Sequence, residues 1–129
     1  MHVRSKICGI TTPETLDAAL KGGASHIGFV FFAKSPRNLS VDKAATLASR
    51  VQGRAKIVGL FVDPTSDDIE QVRSKVPIDV IQLHGDEEPA TVARMAVSSG
   101  LELWKALPIR TARDLEAAQA YQGDRKSVV

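Results

Sequence analysis

Lys6-Ile7-Cys8-Gly9-Ile10-Thr11 is a short apolar run that closes on cysteine, glycine and threonine. Directly behind it, Thr12 stands where a helix cap belongs, with Pro13 at the first helical position and Glu14 in the first turn. A threonine oxygen accepts from a free amide of the first turn, and proline there forfeits no bond the helix needs. The stretch therefore reads as a strand, a tight loop and the start of a capped helix.

The same unit recurs along the chain. Strands are expected at Val3–Cys8, Ile27–Phe31, Ile57–Val62, Val80–Leu83 and Leu101–Ala106. These are mostly continuous apolar runs, as suits parallel strands covered on both faces. Ser40 is the expected cap of the second helix, where Ala44, Leu47, Ala48 and Val51 recur at helical spacing. Ser66, followed by Asp67 and Asp68, opens the third, with Ile69, Val72 and Val76 as its buried stripe. Asp86 caps the fourth, and Thr111 with Asp114 three later has the form of a capping box for the fifth. Gly22, Gly53 and Gly100 stand where helices should end.

Five evenly spaced strand-helix units with right-handed crossovers imply one parallel sheet. The 129 residues suit a doubly wound five-stranded sheet of the flavodoxin type. Part of an eight-fold βα barrel, which needs about 250 residues when whole, is the other arrangement. Pattern and length alone favour the first.

Composition narrows the partners. Lys plus Arg total 17 against 15 for Asp plus Glu, a net charge of +2, and no block of one sign occurs. Neither nucleic acid nor an anionic membrane is favoured. Apolar stretches are too short to cross a bilayer, and the start lacks a secretory pattern. With one cysteine, no internal disulfide forms. The economical expectation is a single cytoplasmic domain.

In both architectures chemistry gathers at the carboxyl ends of the strands. Cys8 ends the first strand near a helix N-terminus, an environment that favours a reactive thiolate, although most buried cysteines only fill space. Arg37, on the loop Lys34-Ser35-Pro36-Arg37, suits paired contact with a carboxylate or phosphate, or is simply solvated. His84, in Gln82-Leu83-His84-Gly85-Asp86, can move protons, hold substrate, or bond the loop backbone. Asp63 starts a turn, and Lys105 points either into the mouth or toward the helices. Histidines 2, 26 and 84 have no ligand-type spacing, and no Walker or dinucleotide glycine motif occurs.

Taken together in order, Lys6-Ile7-Cys8-Gly9-Ile10-Thr11, Gly28-Phe29-Val30-Phe31 with Lys34-Ser35-Pro36-Arg37, Val58-Gly59-Leu60-Phe61-Val62 and Gln82-Leu83-His84-Gly85-Asp86 resemble the phosphoribosylanthranilate isomerase family from Lys6 to about Asp124. The resemblance implies a (β/α)8 TIM barrel, here about five βα units of it, and overrides the length argument. It also implies an Amadori rearrangement of N-(5-phosphoribosyl)anthranilate to the aminoketose phosphate in tryptophan biosynthesis, with no metal or organic cofactor. By that resemblance Cys8 matches the general base, Arg37 the arginine on the anthranilate carboxylate, and His84 a residue lining the same pocket.

Family members continue into a sixth strand carrying an aspartate acid, then a phosphate loop after strands seven and eight. Asp124 is not given the acid's role, and Lys126-Ser127-Val128-Val129 does not resemble that sixth strand. A truncated barrel is expected, with its first and fifth strands as open edges available for self-association. Two rivals stand beside this reading. One is an inactive or interaction-only fragment of the same barrel. The other is a flavodoxin-like receiver domain, which lacks the acidic pair a receiver needs after its first strand.

Overall fold

Strands form where β-branched residues run unbroken, and helices where a capping side chain precedes an apolar stripe. The computed structural model describes residues 4–107, 111–121, 123 and 126–129, with Lys126 and Val128 by their backbone. The order is β1 (Lys6–Cys8), α1 (Pro13–Lys21), β2 (His26–Val30), α2 (Val41–Ala48), β3 (Lys56–Phe61), α3 (Ser66–Arg73), β4 (Val80–Leu83), α4 (Pro89–Ser99), β5 (Glu102–Lys105), α5 (Ala112–Gln119) and β6 (Lys126–Val128).

The sheet runs β1-β2-β3-β4-β5-β6, each pair parallel. A doubly wound sheet keeps its first strand inside and reverses order at a switch point. Here β1 is an edge and the order never reverses. The architecture is a partial βα barrel, and both the doubly wound sheet and the receiver domain are set aside.

Side chains alternate between the two faces of the wall. One row carries Ile27, Phe29, Ile57, Phe61, Ile81, Leu83 and Leu103, which share one core cluster with Leu16, Leu47, Ile69, Val72, Val92 and Met95 of the helices. The opposite row carries Lys6, Cys8, His26, Gly28, Gln82 and Trp104, by register. Strands three apart in a flat sheet are separated by about 14 Å. Yet the Lys6 ammonium of β1 bonds Gln82 Oε1 of β4, and the rings of His26 (β2) and Trp104 (β5) approach to 5.0 Å. The sheet must therefore curl, and this row is the concave interior.

Three expectations need correction. The chain does form a sixth strand: Leu103, Trp104 and Lys105 pair with Lys126, Ser127 and Val128, and Val129 N donates to Lys105 O at 2.8 Å. The outer edge of β5 offers free amides and carbonyls, and a β-branched pair at Val128-Val129 takes them up. The open edges are accordingly β1 and β6. Second, Thr65 rather than Ser66 caps α3, accepting from Asp68 N while Asp68 Oδ2 takes the Thr65 amide at 2.9 Å. Third, α4 is capped at Glu88 without a side-chain bond, and Pro89 fills its first position; Asp86 is engaged elsewhere.

The caps at Thr12, Ser40 and Thr111 stand as expected, the last as a full capping box. Gly22 and Gly100 follow α1 and α4, whereas α2 stops at Ala48, ahead of Gly53. Val51 and Val76 are buried but lie in the turns beyond their helices. No described helix is long and apolar enough to cross a membrane.

Two outcomes follow for stability. Thr65→Ala costs about 1 kcal/mol, while Ser66→Ala stays within about 0.5 kcal/mol; urea midpoints of the two variants separate the caps. The second concerns His26, which is buried against Trp104 with Nδ1 2.8 Å from Ser25 Oγ. Burial, reinforced by the Lys56 charge, holds its imidazole below the ordinary value of 6.5. The unfolded chain then binds the proton more tightly. This contribution is complete above pH 6.5 and is lost as pH falls through the lowered folded value. His26→Gln flattens that interval in urea titrations; an unchanged slope would assign the proton to another group.

Candidate functional site at the carboxyl ends of the strands

β1 delivers Cys8 to the carboxyl end of the concave face, half-buried, directly before the left-handed Gly9 (φ 78°). Its neighbour across the ladder is Gly28, whose Cβ, were there one, would lie 3.0 Å from Cys8 Sγ. A side chain there would crowd the sulfur. The Gly9 and Ile10 amides both donate to Gly28 O, at 3.0 and 3.3 Å, and lock the turn that leads to α1.

Arg37 arrives from the loop after β2. That loop is folded back by Ser35 N to Phe32 O (2.9 Å), Arg37 N to Ser35 Oγ (3.1 Å) and Leu39 N to Val30 O (2.9 Å). The folded loop lays the exposed arginine across Gly9, where a Cβ would meet Arg37 Cδ and Nη1 at 2.5 Å. A side chain at position 9 would push the guanidinium from this seat, and the positive φ favours glycine there as well. Cys8 and Arg37 are thus joined at one glycine.

His84 follows β4 and is exposed, with its amide donating to Phe61 O at 2.9 Å. It lines a cavity of about 1110 Å³ together with Lys6, Asp63, Gln82, Trp104 and Lys105. Cys8 and Arg37 do not line that cavity. The link between the two groups is the Lys6–Gln82 bond, which lies two residues before Cys8 on one strand and two before His84 on the other. Burial pushes the Lys6 ammonium below its usual range, and the negative form of Cys8 pulls it part of the way back.

Lys105, whose direction the sequence leaves open, shares the helix-facing row with Leu83 and Leu103 and is 1% exposed. Its ammonium nevertheless bends up to the loops, donating to Gly85 O at 2.5 Å and Glu87 Oε1 at 2.6 Å. Glu87 is the residue that sequence reasoning misses. Its buried carboxylate also accepts from Gly85 N at 2.9 Å and Asp63 N at 2.6 Å. Burial alone would raise this carboxyl, but the Lys105 bond and the backbone amides outweigh it and hold the group below its ordinary value. Asp63, in a left-handed conformation (φ 46°), accepts from Asp86 N at 2.9 Å. The only signal for Glu87 in the sequence is a run of three acids, Asp86-Glu87-Glu88, before Pro89. Asp124 falls outside the described residues.

Comparison with known proteins agrees with this geometry. A sequence model of the N-(5'-phosphoribosyl)anthranilate (PRA) isomerase family matches residues 5–129. The N-(5'-phosphoribosyl)anthranilate isomerase of Rhizobium etli (strain CIAT 652) is 49% identical over 118 residues, 92% of this chain and 53% of the relative. That of Rhodospirillum centenum is 46% identical over 123 residues, 95% of this chain and 58% of the relative. Among solved structures, the phosphoribosyl anthranilate isomerase of Thermotoga maritima superposes with a TM-score of 0.86 at 33% identity, covering 93% of this chain and 58% of that one. A phosphoribosyl anthranilate isomerase in complex with reduced 1-(o-carboxyphenylamino)-1-deoxyribulose 5-phosphate gives the same TM-score and identity over 93% of this chain and 61% of that one. The chain spans about half the length of the curated relatives it matches. The match over residues 5–129, the parallel strand order and the shared barrel wall assign this chain to the N-(5'-phosphoribosyl)anthranilate isomerase family.

Proposed function

We propose that the chain carries the base and the carboxylate anchor of a phosphoribosylanthranilate isomerase of tryptophan biosynthesis, acting in the cytoplasm as one partial-barrel domain over residues 1–129. The reaction needs an acid that protonates the ribose ring oxygen and opens the furanose to a Schiff base. It then needs a base that takes the proton from the neighbouring ribose carbon, and the resulting enolamine tautomerises to the aminoketose. In this reading the Cys8 thiolate is the base. Arg37 holds the anthranilate carboxylate, for which a planar guanidinium supplies two parallel donors. His84 contacts the substrate from the adjoining cavity, joined to the Cys8 strand through the Lys6–Gln82 bond. No step calls for a metal or an organic cofactor.

The observation that carries the reading is the seat of Arg37 on Gly9, directly after Cys8. The seat of the carboxylate anchor is thereby set one residue from the thiol along the chain, and proton abstraction at a fixed carbon requires a substrate held against its base. No described residue is assigned as the acid. The family's phosphate loop follows strands seven and eight, beyond the six strands described here.

A second reading, a fragment that acts through association, draws on the open edges of β1 and β6. Parallel edges carry unpaired amides and carbonyls and invite another chain. Ile7 on the edge strand β1 is 44% exposed. Self-association through these edges is compatible with the first reading.

Two experiments test the pair. In a background supplied with the rest of the family's length, Cys8→Ser lowers turnover by about 10²–10⁴-fold, since a serine hydroxyl does not ionise near neutral pH. Circular dichroism stays unchanged; turnover near that of the parent would remove Cys8 from the mechanism. The 129-residue chain alone has no measurable turnover and either associates or is poorly stable. Adding the family's remaining βα units in trans restores part of the activity, followed by light scattering alongside the assay. A stable monomer that turns over unaided would mean that the acid lies within these residues.

A further inference from the structure

The turn after His84 is held from both sides by one buried ion pair. Gly85 N donates to Glu87 Oε1 at 2.9 Å, and Gly85 O accepts from Lys105 Nζ at 2.5 Å. Lys105 Nζ and Glu87 Oε1 are themselves 2.6 Å apart, and the two side chains are 1% and 2% exposed. Both backbone polar atoms of Gly85, the residue directly after His84, are therefore bonded to a member of the pair. Glu87 Oε2 meanwhile takes the amide of Asp63, at 2.6 Å, and so ties the end of β3 to the same point. Asp63 returns the tie by accepting from Asp86 N. A Cβ on Gly85 would lie 2.7 Å from Asp63 Oδ1, so a side chain there would displace the Asp63 carboxyl. Tyr121 closes the far side, donating from its hydroxyl to Glu87 O at 2.9 Å.

Stability alone does not account for such a pair. Removing two charges from water costs nearly as much as their attraction returns, and apolar replacements of equal volume are often as stable. An ion pair with fixed donors and acceptors does something an apolar contact cannot, which is to fix the orientation of a peptide unit. His84, exposed and lining the cavity, directly precedes the Gly85 amide that the pair holds.

We propose that Glu87 and Lys105 are positioning residues, acting through the Gly85 peptide to aim the His84 imidazole into the cavity at the barrel mouth. The proposal deepens the functional reading and rests on it for one point, that His84 meets the substrate. The clamp itself does not depend on that point.

The test uses the 129-residue chain, with amide hydrogen exchange and the His84 ring signals read by NMR. Lys105→Met speeds exchange at Gly85 and Asp63 by tenfold or more and shifts the His84 ring signals. The amides of Phe31 and Lys56, which bond Leu60 O and Ser25 O in the wall, keep their rates. Glu87→Gln keeps the volume and one acceptor oxygen, so it frees Gly85 or Asp63 but not both; it serves where Lys105→Met does not fold. A uniform rise in exchange through the wall would mean a merely structural pair, and unchanged rates at Gly85 and Asp63 with a fixed His84 signal would also overturn the clamp. A parallel titration of the unmodified chain with anthranilate, followed at the His84 ring, judges the functional reading by itself. If that ring ignores anthranilate, the substrate contact of His84 fails while the exchange data still decide the clamp.

Discussion

Each strand of this sheet pairs in parallel with the strand that follows it in sequence, and the other features depend on that constraint. Parallel neighbours require a crossover, and right-handed crossovers lay every helix against the same face. That face is where the aliphatic row from Ile27 to Leu103 meets the helix stripes, and it holds the main core. The other face is then left to curl on itself, and all the loops that follow strands open at one end. Cys8, Arg37 and His84 come from three separate units, yet this wiring alone brings them to one rim.

Buried contacts on the sheet are of two kinds. Along the wall, Val30, Val58 and Val80 are buried aliphatics. Beside them stand polar bonds, Lys6 to Gln82 on the concave face and Lys105 of the helix-facing row to Glu87 and Gly85. Buried charge is tolerated only when every donor and acceptor is matched. Glu87 meets that condition with two backbone amides and an ammonium, and no described buried side-chain polar atom lacks a partner. The polar rim is therefore rigid rather than merely hydrophilic, and rigidity is what a site for a fixed proton transfer needs.

Much of this is legible in the sequence, and the exceptions have physical causes. Ser40 and Thr111 read as caps because each is the single capping residue directly ahead of its helix, and Thr12, although Thr11 precedes it, because Pro13 marks the first helical position. At Thr65-Ser66 two capping residues stand side by side, and only backbone geometry shows that Thr65 is still extended while Ser66 is helical. The sixth strand escapes notice because three residues carry no periodicity; the waiting edge of β5 supplies the reason to extend. Positions of Cys8, Arg37 and His84 at the rim follow from the apolar runs that precede them. The burial of Glu87 does not, since an acid among acids before a proline looks solvated. Its partner lies eighteen residues on, in the next unit, and whether Lys105 faces in or out hangs on a register that alternates with every residue.

That alternation also bears on what an incomplete wall tolerates. A closed barrel of this kind fills its interior with layers of bulky branched aliphatics. Here the concave row near β1 and β5 carries Lys6, His26, Gln82, Glu102 and Trp104 instead. These groups find partners among themselves: His26 lies against Trp104, the Lys6 ammonium stands 5.8 Å from the same ring, and the indole N–H donates to Glu102 at 2.9 Å. A surface of that composition loses less on contact with water than an aliphatic one of equal area. The two edges left open are short, β1 and β6 having three residues each. The main aliphatic core lies between the sheet and its helices, and Val30, Val58 and Val80 add a smaller buried group on the concave face.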